Sequence, residues 1–140
     1  MLVDEFRIEL NLHHPFCDPD EITQELSLEP WFAVKDGTRI GEVHHKKTAW
    51  LCHFRGGSTN SDAQALGDIV SWCSERRAFI SRFIEEGGEV EFVLDSATDS
   101  SFSPGDKLFE LSLHPEFLNC LAANNIHLRL QVWMAESHNN

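Results

Sequence analysis

Eight histidines and four cysteines are the side chains most able to do chemistry in this 140-residue sequence. His13-His14 stands near Cys17, and His44-His45 stands near Cys52-His53. Neutral imidazole and thiolate both bind zinc or copper, so a metal is the first chemistry to weigh. The spacing argues against it. Adjacent histidines on a strand point to opposite faces, so each pair offers one ligand per site. The cysteines at 17, 52, 73 and 120 are separated by 35, 21 and 47 positions, with no CxxC or zinc-ribbon pattern. The expectation is therefore no metal and no cofactor. Cys52, Cys73 and Cys120 lie in apolar surroundings, where a reduced thiol behaves as a small hydrophobe.

Other chemistry is harder to find. Ser58 and Thr59 follow Gly56-Gly57, but no His–Asp partnership accompanies them, so they read as turn residues. Asp95-Ser96-Ala97-Thr98-Asp99 has oxygen ligands without a calcium-loop spacing and reads as a solvated connection. No phosphate-binding glycine loop, zinc-protease helix or nucleophile elbow is present. No catalytic residue is assigned, and the balance leans to binding rather than catalysis.

Charge is the strongest compositional signal. Eleven Lys and Arg face 23 Asp and Glu, a net −12 with His neutral. Such a chain repels phosphate backbones, which excludes general nucleic-acid binding. One stretch breaks the pattern. From Pro30 to Arg55, five basic residues face two acidic ones, a local +3 that leaves −15 elsewhere. Lys35, Arg39, Lys46 and Lys47, with Trp31 or Trp50 as a roof, are the candidate residues for an anionic ligand. Trp50 and Trp72 are read mainly as core, whereas Trp31 and Trp133 are candidate anchors for a partner.

These residues need a scaffold. At 41% hydrophobic the chain can hold one core, so residues 1–140 are read as a single domain. No apolar run approaches the roughly 18 residues of a membrane span. The start, Met1 to Phe6, shows no cationic lead-in, so a cytoplasmic protein without membrane attachment is expected.

Phe6, Ile8, Leu10 and Leu12 alternate with polar residues, which predicts a half-buried first strand. Asp18-Pro19-Asp20-Glu21 predicts a capped helix to about Leu26. Residues 30–46, with Gly37 and Gly41, read as a long loop or loose hairpin. Lys47 to Phe54 is apolar on both faces, as in a central strand. Ser61 with Gln64 opens one long amphipathic helix, about Asp62 to Glu86, closed by Gly87-Gly88. Strands follow at Glu89–Leu94 and Lys107–Leu113. A short helix from Pro115 stops at Asn124-Asn125, and a last strand runs from Ile126 to Met134. The order β-α-β-α-β-β-α-β predicts an α+β two-layer sandwich. Its sheet is five-stranded and largely antiparallel, with helices on one face.

The run Asp18-Pro19-Asp20-Glu21-Ile22-Thr23, then Leu26 and Glu29-Pro30, sits between the first strand and the strand bearing Trp50. With the long helix, the hairpin and the Leu-rich short helix that follow, this resembles the bacterial domain-of-unknown-function family numbered 4279, over about residues 4–134. The chain departs from that pattern at Ser27-Leu28-Glu29 and at Trp133-Met134. The resemblance implies a small bacterial cytosolic α+β domain and carries over no catalytic residue.

Two functions follow from the residues. The first is a non-catalytic protein-binding module, of the kind that acts as an immunity protein masking a basic partner, since −15 outside one loop selects a basic surface. The second is an anionic-ligand domain, or an enzyme of unassigned reaction, built on the +3 segment.

Overall fold

The computed structural model describes residues 5–57, 62–99 and 112–135. The elements run β1 (Glu5–His14), α1 (Pro19–Leu26), β2 (Phe32–Val34), β3 (Arg39–Ile40), β4 (Val43–His44), β5 (Thr48–Gly57), α2 (Asp62–Glu75), α3 (Arg77–Glu85), β6 (Glu89–Asp99), α4 (Pro115–Ala123) and β7 (His127–Ala135). The main sheet has the order β2-β5-β1-β6-β7, and β3 and β4 form a separate hairpin. All pairings in the main sheet are antiparallel except β6 with β7. The parallel pair follows from its connection, which crosses over through α4 instead of turning tightly.

Alternation in β1 builds the core. Ile8, Leu10, Leu12 and His14 are fully buried on one face, joined by Trp50, Cys52 and Phe54 of β5 and Val90, Phe92 and Leu94 of β6. Ile22 and Leu26 of α1, Ile69 and Cys73 of α2, Ile80 and Phe83 of α3, and Phe117 and Leu121 of α4 complete one cluster. The four helices therefore cover one face of the sheet, an α+β two-layer arrangement. On the other face, ion pairs bridge the strands: Arg7–Asp95 at 3.5 Å, Arg129–Glu91 at 3.2 Å, and His53 with Glu9.

Several elements differ from the sequence reading, each for a physical reason. The long helix is two helices broken at Arg76, which has φ −109° and ψ 17°. Cys73 and Phe79 are six residues apart, so in an unbroken helix they would project about 120° from each other. The break lets Phe79 and Phe83 join the same core. Residues 32–34 form an edge strand rather than a loop; Trp31 N–H donates to Leu51 O at 2.9 Å and begins that pairing. Residues 39–44 form a hairpin. Asp95–Asp99 continues β6 instead of forming a solvated connection. Ser96 keeps the inward phase of Val90, Phe92 and Leu94, and β1 and β7 pair on both sides. The expected strand at Lys107–Leu113 lies outside the described residues up to Leu111, and Ser112 and Leu113 are irregular. Ser58, Thr59 and Ser61 also lie outside the described residues.

The β1/β5 register shifts between Ile8, which faces Arg55, and Glu9, which faces His53. Phe54 is the extra residue of this bulge and stays in the core, while Arg55 reaches Asp68 of α2 at 3.0 Å.

Candidate functional site

A cleft of about 900 Å³ opens between α1 and α3, beside the turn that leaves β1. His14 organises that turn. Its Nδ1 accepts from the backbone N–H of Phe16 at 3.1 Å and of Cys17 at 2.9 Å. An accepting Nδ1 places the ring proton on Nε2, which donates to Glu86 Oε1 at 3.2 Å. The ring is fully buried against Phe83, with centroids 4.7 Å apart. His14 thus joins the end of β1 to the residue after α3.

Two more polar side chains fix the walls. Thr48, at the start of β5, donates from Oγ1 to Cys17 O at 2.6 Å and accepts from Asp36 N–H at 3.1 Å. Trp50 donates from Nε1 to Thr23 Oγ1 at 3.0 Å, and Thr23 donates to Pro19 O at 3.2 Å. Trp50 is thereby tied to α1. Asp18 starts α1 by accepting from Asp20 N–H at 2.9 Å. Glu21, three residues after Asp18 where a capping box would place a reciprocal acceptor, instead faces the Cys17 sulfur at 3.8 Å.

The cleft is acidic. Asp18, Glu21, Glu25 and Glu86 line it, against Lys35 and Arg82. Lys35 pairs with Asp18 at 3.9 Å and Arg82 with Glu25 at 3.8 Å. Glu21 and Glu86 are thus the two lining carboxylates not matched to a lining cation. Phe79 and Phe83 form an aromatic floor, and Phe16 stands at the rim, 60% exposed. Carboxylates beside aromatic faces suit a guanidinium or ammonium guest. They do not suit nucleophilic catalysis by Cys17. Burial, with Glu21 beside it, pushes that thiol up to about 11, so it stays protonated at neutral pH.

Of the residues singled out for an anionic ligand, Lys35 lines this cleft and Trp31, Arg39, Lys46, Lys47 and Trp50 do not. Lys35 lies in the acidic cleft. Arg39 sits on β3, and Lys46 and Lys47 lead into β5; all three are exposed. Trp31 stacks on His53, 5.6 Å between centroids, at the opposite end of β2 from Lys35. Trp50 is fully buried and roofs no ligand site. The paired histidines divide: His14 enters the core, whereas His13 lines a 220 Å³ pocket on the other sheet face with Glu89, Glu91 and His127. Among the described residues, no three His, Cys, Asp or Glu side chains are grouped to hold a metal.

Charge counting along the sequence missed the cleft, because its acids are spread from residue 18 to residue 86. A usable signal was present in the spacing. Glu21 and Glu25 are four apart, as are Arg82 and Glu86, so each pair marks one side of a helix.

A family model described as Domain of unknown function (DUF4279) matches residues 4–135, and the chain belongs to that family. No curated protein and no solved structure matches it. No helix among the described residues is long and apolar enough to cross a membrane.

Proposed function

We propose that this DUF4279 chain is a non-catalytic cytoplasmic binding domain of bacterial type whose α1/α3 cleft receives a cationic side chain of a basic protein partner. The observation that carries the reading is the set of four carboxylates against two cations around an aromatic floor. Each cation already has a carboxylate partner, so a guest guanidinium would meet Glu21 and Glu86 without displacing either pair. The surrounding net charge of −12 would speed the encounter and favour a basic surface. Masking of a basic toxin, the immunity-type role, is one form of this activity.

Calorimetric titration with an arginine- and lysine-rich peptide tests it. Binding at low salt that weakens as salt rises is expected. The double substitution Glu21→Gln with Glu86→Gln should weaken it at least about tenfold, the loss of the charge-assisted contacts to the guest. Absence of binding at low salt, or affinity unmoved by the substitutions, overturns the proposal.

The alternative is an anionic ligand at the hairpin. Arg39, Lys46 and Lys47 are exposed and have no ion-pair partner among the described residues, and Trp31 offers an exposed ring nearby in sequence. Thermal stabilisation by inorganic phosphate, lost in Lys46→Ala with Lys47→Ala, would favour it over the cleft.

A further inference from the structure

The two edges of the main sheet are built differently. β2 is three residues long, follows Pro30 and runs into the Gly37 turn. Such a short edge offers little to a pairing strand. β7 is nine residues long and has neither proline nor glycine. It pairs with β6 on one side and has no strand partner on the other among the described residues. It also carries no carboxylate, on a chain with 23 of them. Leu130, Val132 and Trp133 are 56%, 55% and 59% exposed. An exposed, long, apolar edge strand is a template for another strand.

The pattern of β7 identifies that strand. Side chains alternate, so Leu130 and Val132 share the helix-bearing face, while Arg129, Gln131 and Trp133 share the other. A two-fold axis perpendicular to the sheet keeps each face on its own side. It therefore pairs residues of like parity and passes between one residue and its own copy. Centred on Gln131, it sets Leu130 opposite Val132 of the second copy and Arg129 opposite Trp133. The first is an apolar cross-strand pair and the second a cation against an indole. Both occur twice, as an isologous interface requires. Centred one residue away, the axis loses both pairings.

We propose that a second copy of this chain pairs antiparallel along β7, with Gln131 facing its own copy across the two-fold axis, to form a continuous ten-stranded sheet. Arg129 keeps its 3.2 Å contact with Glu91, since a guanidinium has donors to spare while its face lies on the indole.

Sedimentation velocity of the full chain, from micromolar to millimolar concentration, tests this. The expected species is a dimer. Leu130→Lys alone and Val132→Asp alone should each weaken dimerisation by about a hundredfold, as an unpaired charge faces an apolar side chain. The double variant should dimerise again, because the introduced ammonium of each copy would then face the introduced carboxylate of the other. Amide exchange across residues 128–134 should slow as concentration rises, a readout independent of whether the variants fold. A wild-type monomer at every concentration overturns the proposal. So does a dimer indifferent to the single substitutions, or amides protected equally at all dilutions, which would mean that the chain itself covers the edge.

Discussion

The acidic α1/α3 cleft and the basic segment 35–47 that carries the β3–β4 hairpin meet at Lys35, yet they are held in different ways. The cleft's side chains stand on elements tied to the core. Trp50 bonds α1 through Thr23, Thr48 bonds the Cys17 turn, and His14 bonds both that turn and Glu86. The hairpin has two residues in each strand, all four exposed. Its ties in the backbone are short ones: Gly37 N–H to His45 O and His45 N–H to Thr38 O, both 2.8 Å, and Thr38 N–H to Lys35 O at 3.2 Å. A recognition site needs its groups held in one geometry, which supporting packing supplies. The local +3 of residues 30–55 records where cations fall in the sequence; only the packing decides whether charges converge.

The sharpest way to break this comparison is to remove the cleft's anchor. Trp50 is fully buried between Thr23 and the core, in a strand paired on both edges. Trp50→Ala should cost about 3–5 kcal/mol, through lost burial and the cavity left behind. The urea midpoint should fall accordingly, and cationic-peptide binding should be lost with it. An unchanged midpoint would mean that the cleft is no better anchored than the hairpin.

A smaller effect tests the floor. Gly88 N–H donates to Phe83 O at 2.9 Å, after Gly87 has turned the chain with φ +97°. A Cβ on Gly88 would stand 2.5 Å from the Phe83 ring and 2.6 Å from its carbonyl oxygen. The carbonyl belongs to α3 and cannot yield cheaply. Gly88→Ala should therefore cost about 1–3 kcal/mol by overpacking, and should weaken peptide binding by shifting Phe83. Denaturation alongside peptide titration checks both parts; a neutral substitution would show the floor to be compliant.

Legibility in the sequence followed the range of the interactions. The alternation Ile8, Leu10, Leu12 and the start of α1 at Asp18-Pro19 are local patterns, and the structure has both elements. The left-handed stop near Asn124-Asn125 is local too, and Asn125 has φ 54°. β2 escaped because three residues hold no period. The end of β6 escaped because Asp95 and Ser96 read as loop, although Arg7 and the flanking strands accommodate them. The parallel β6/β7 pairing escaped because strand neighbours are set by the crossover, not by either strand's own sequence. The cleft was hidden for the same reason. Glu21 and Glu25 look like a solvated helix face until α3 is laid beside them. His13 and His14 were legible for the opposite reason: adjacent residues of a strand face apart, and the pleat sends one ring to each side of the sheet.

The smallest expected effect falls on the hairpin side. Lys46 and Lys47 are exposed, and neither has an ion-pair partner among the described residues. Neither contributes to the core, whose nearest member is Ala49, after the buried polar Thr48, in the strand that follows. Substitutions at such positions usually change stability by no more than about 0.5 kcal/mol. Lys46→Ala and Lys47→Ala should therefore leave the urea midpoint nearly unmoved, in contrast to Trp50→Ala. The same two proteins report on function. If phosphate does not stabilise the wild-type chain, the hairpin cations are solvated and the cleft stands as the organised site. If phosphate stabilises the wild type and not the variants, the cations converge on a ligand without packing to hold them, and the contrast between the two regions fails.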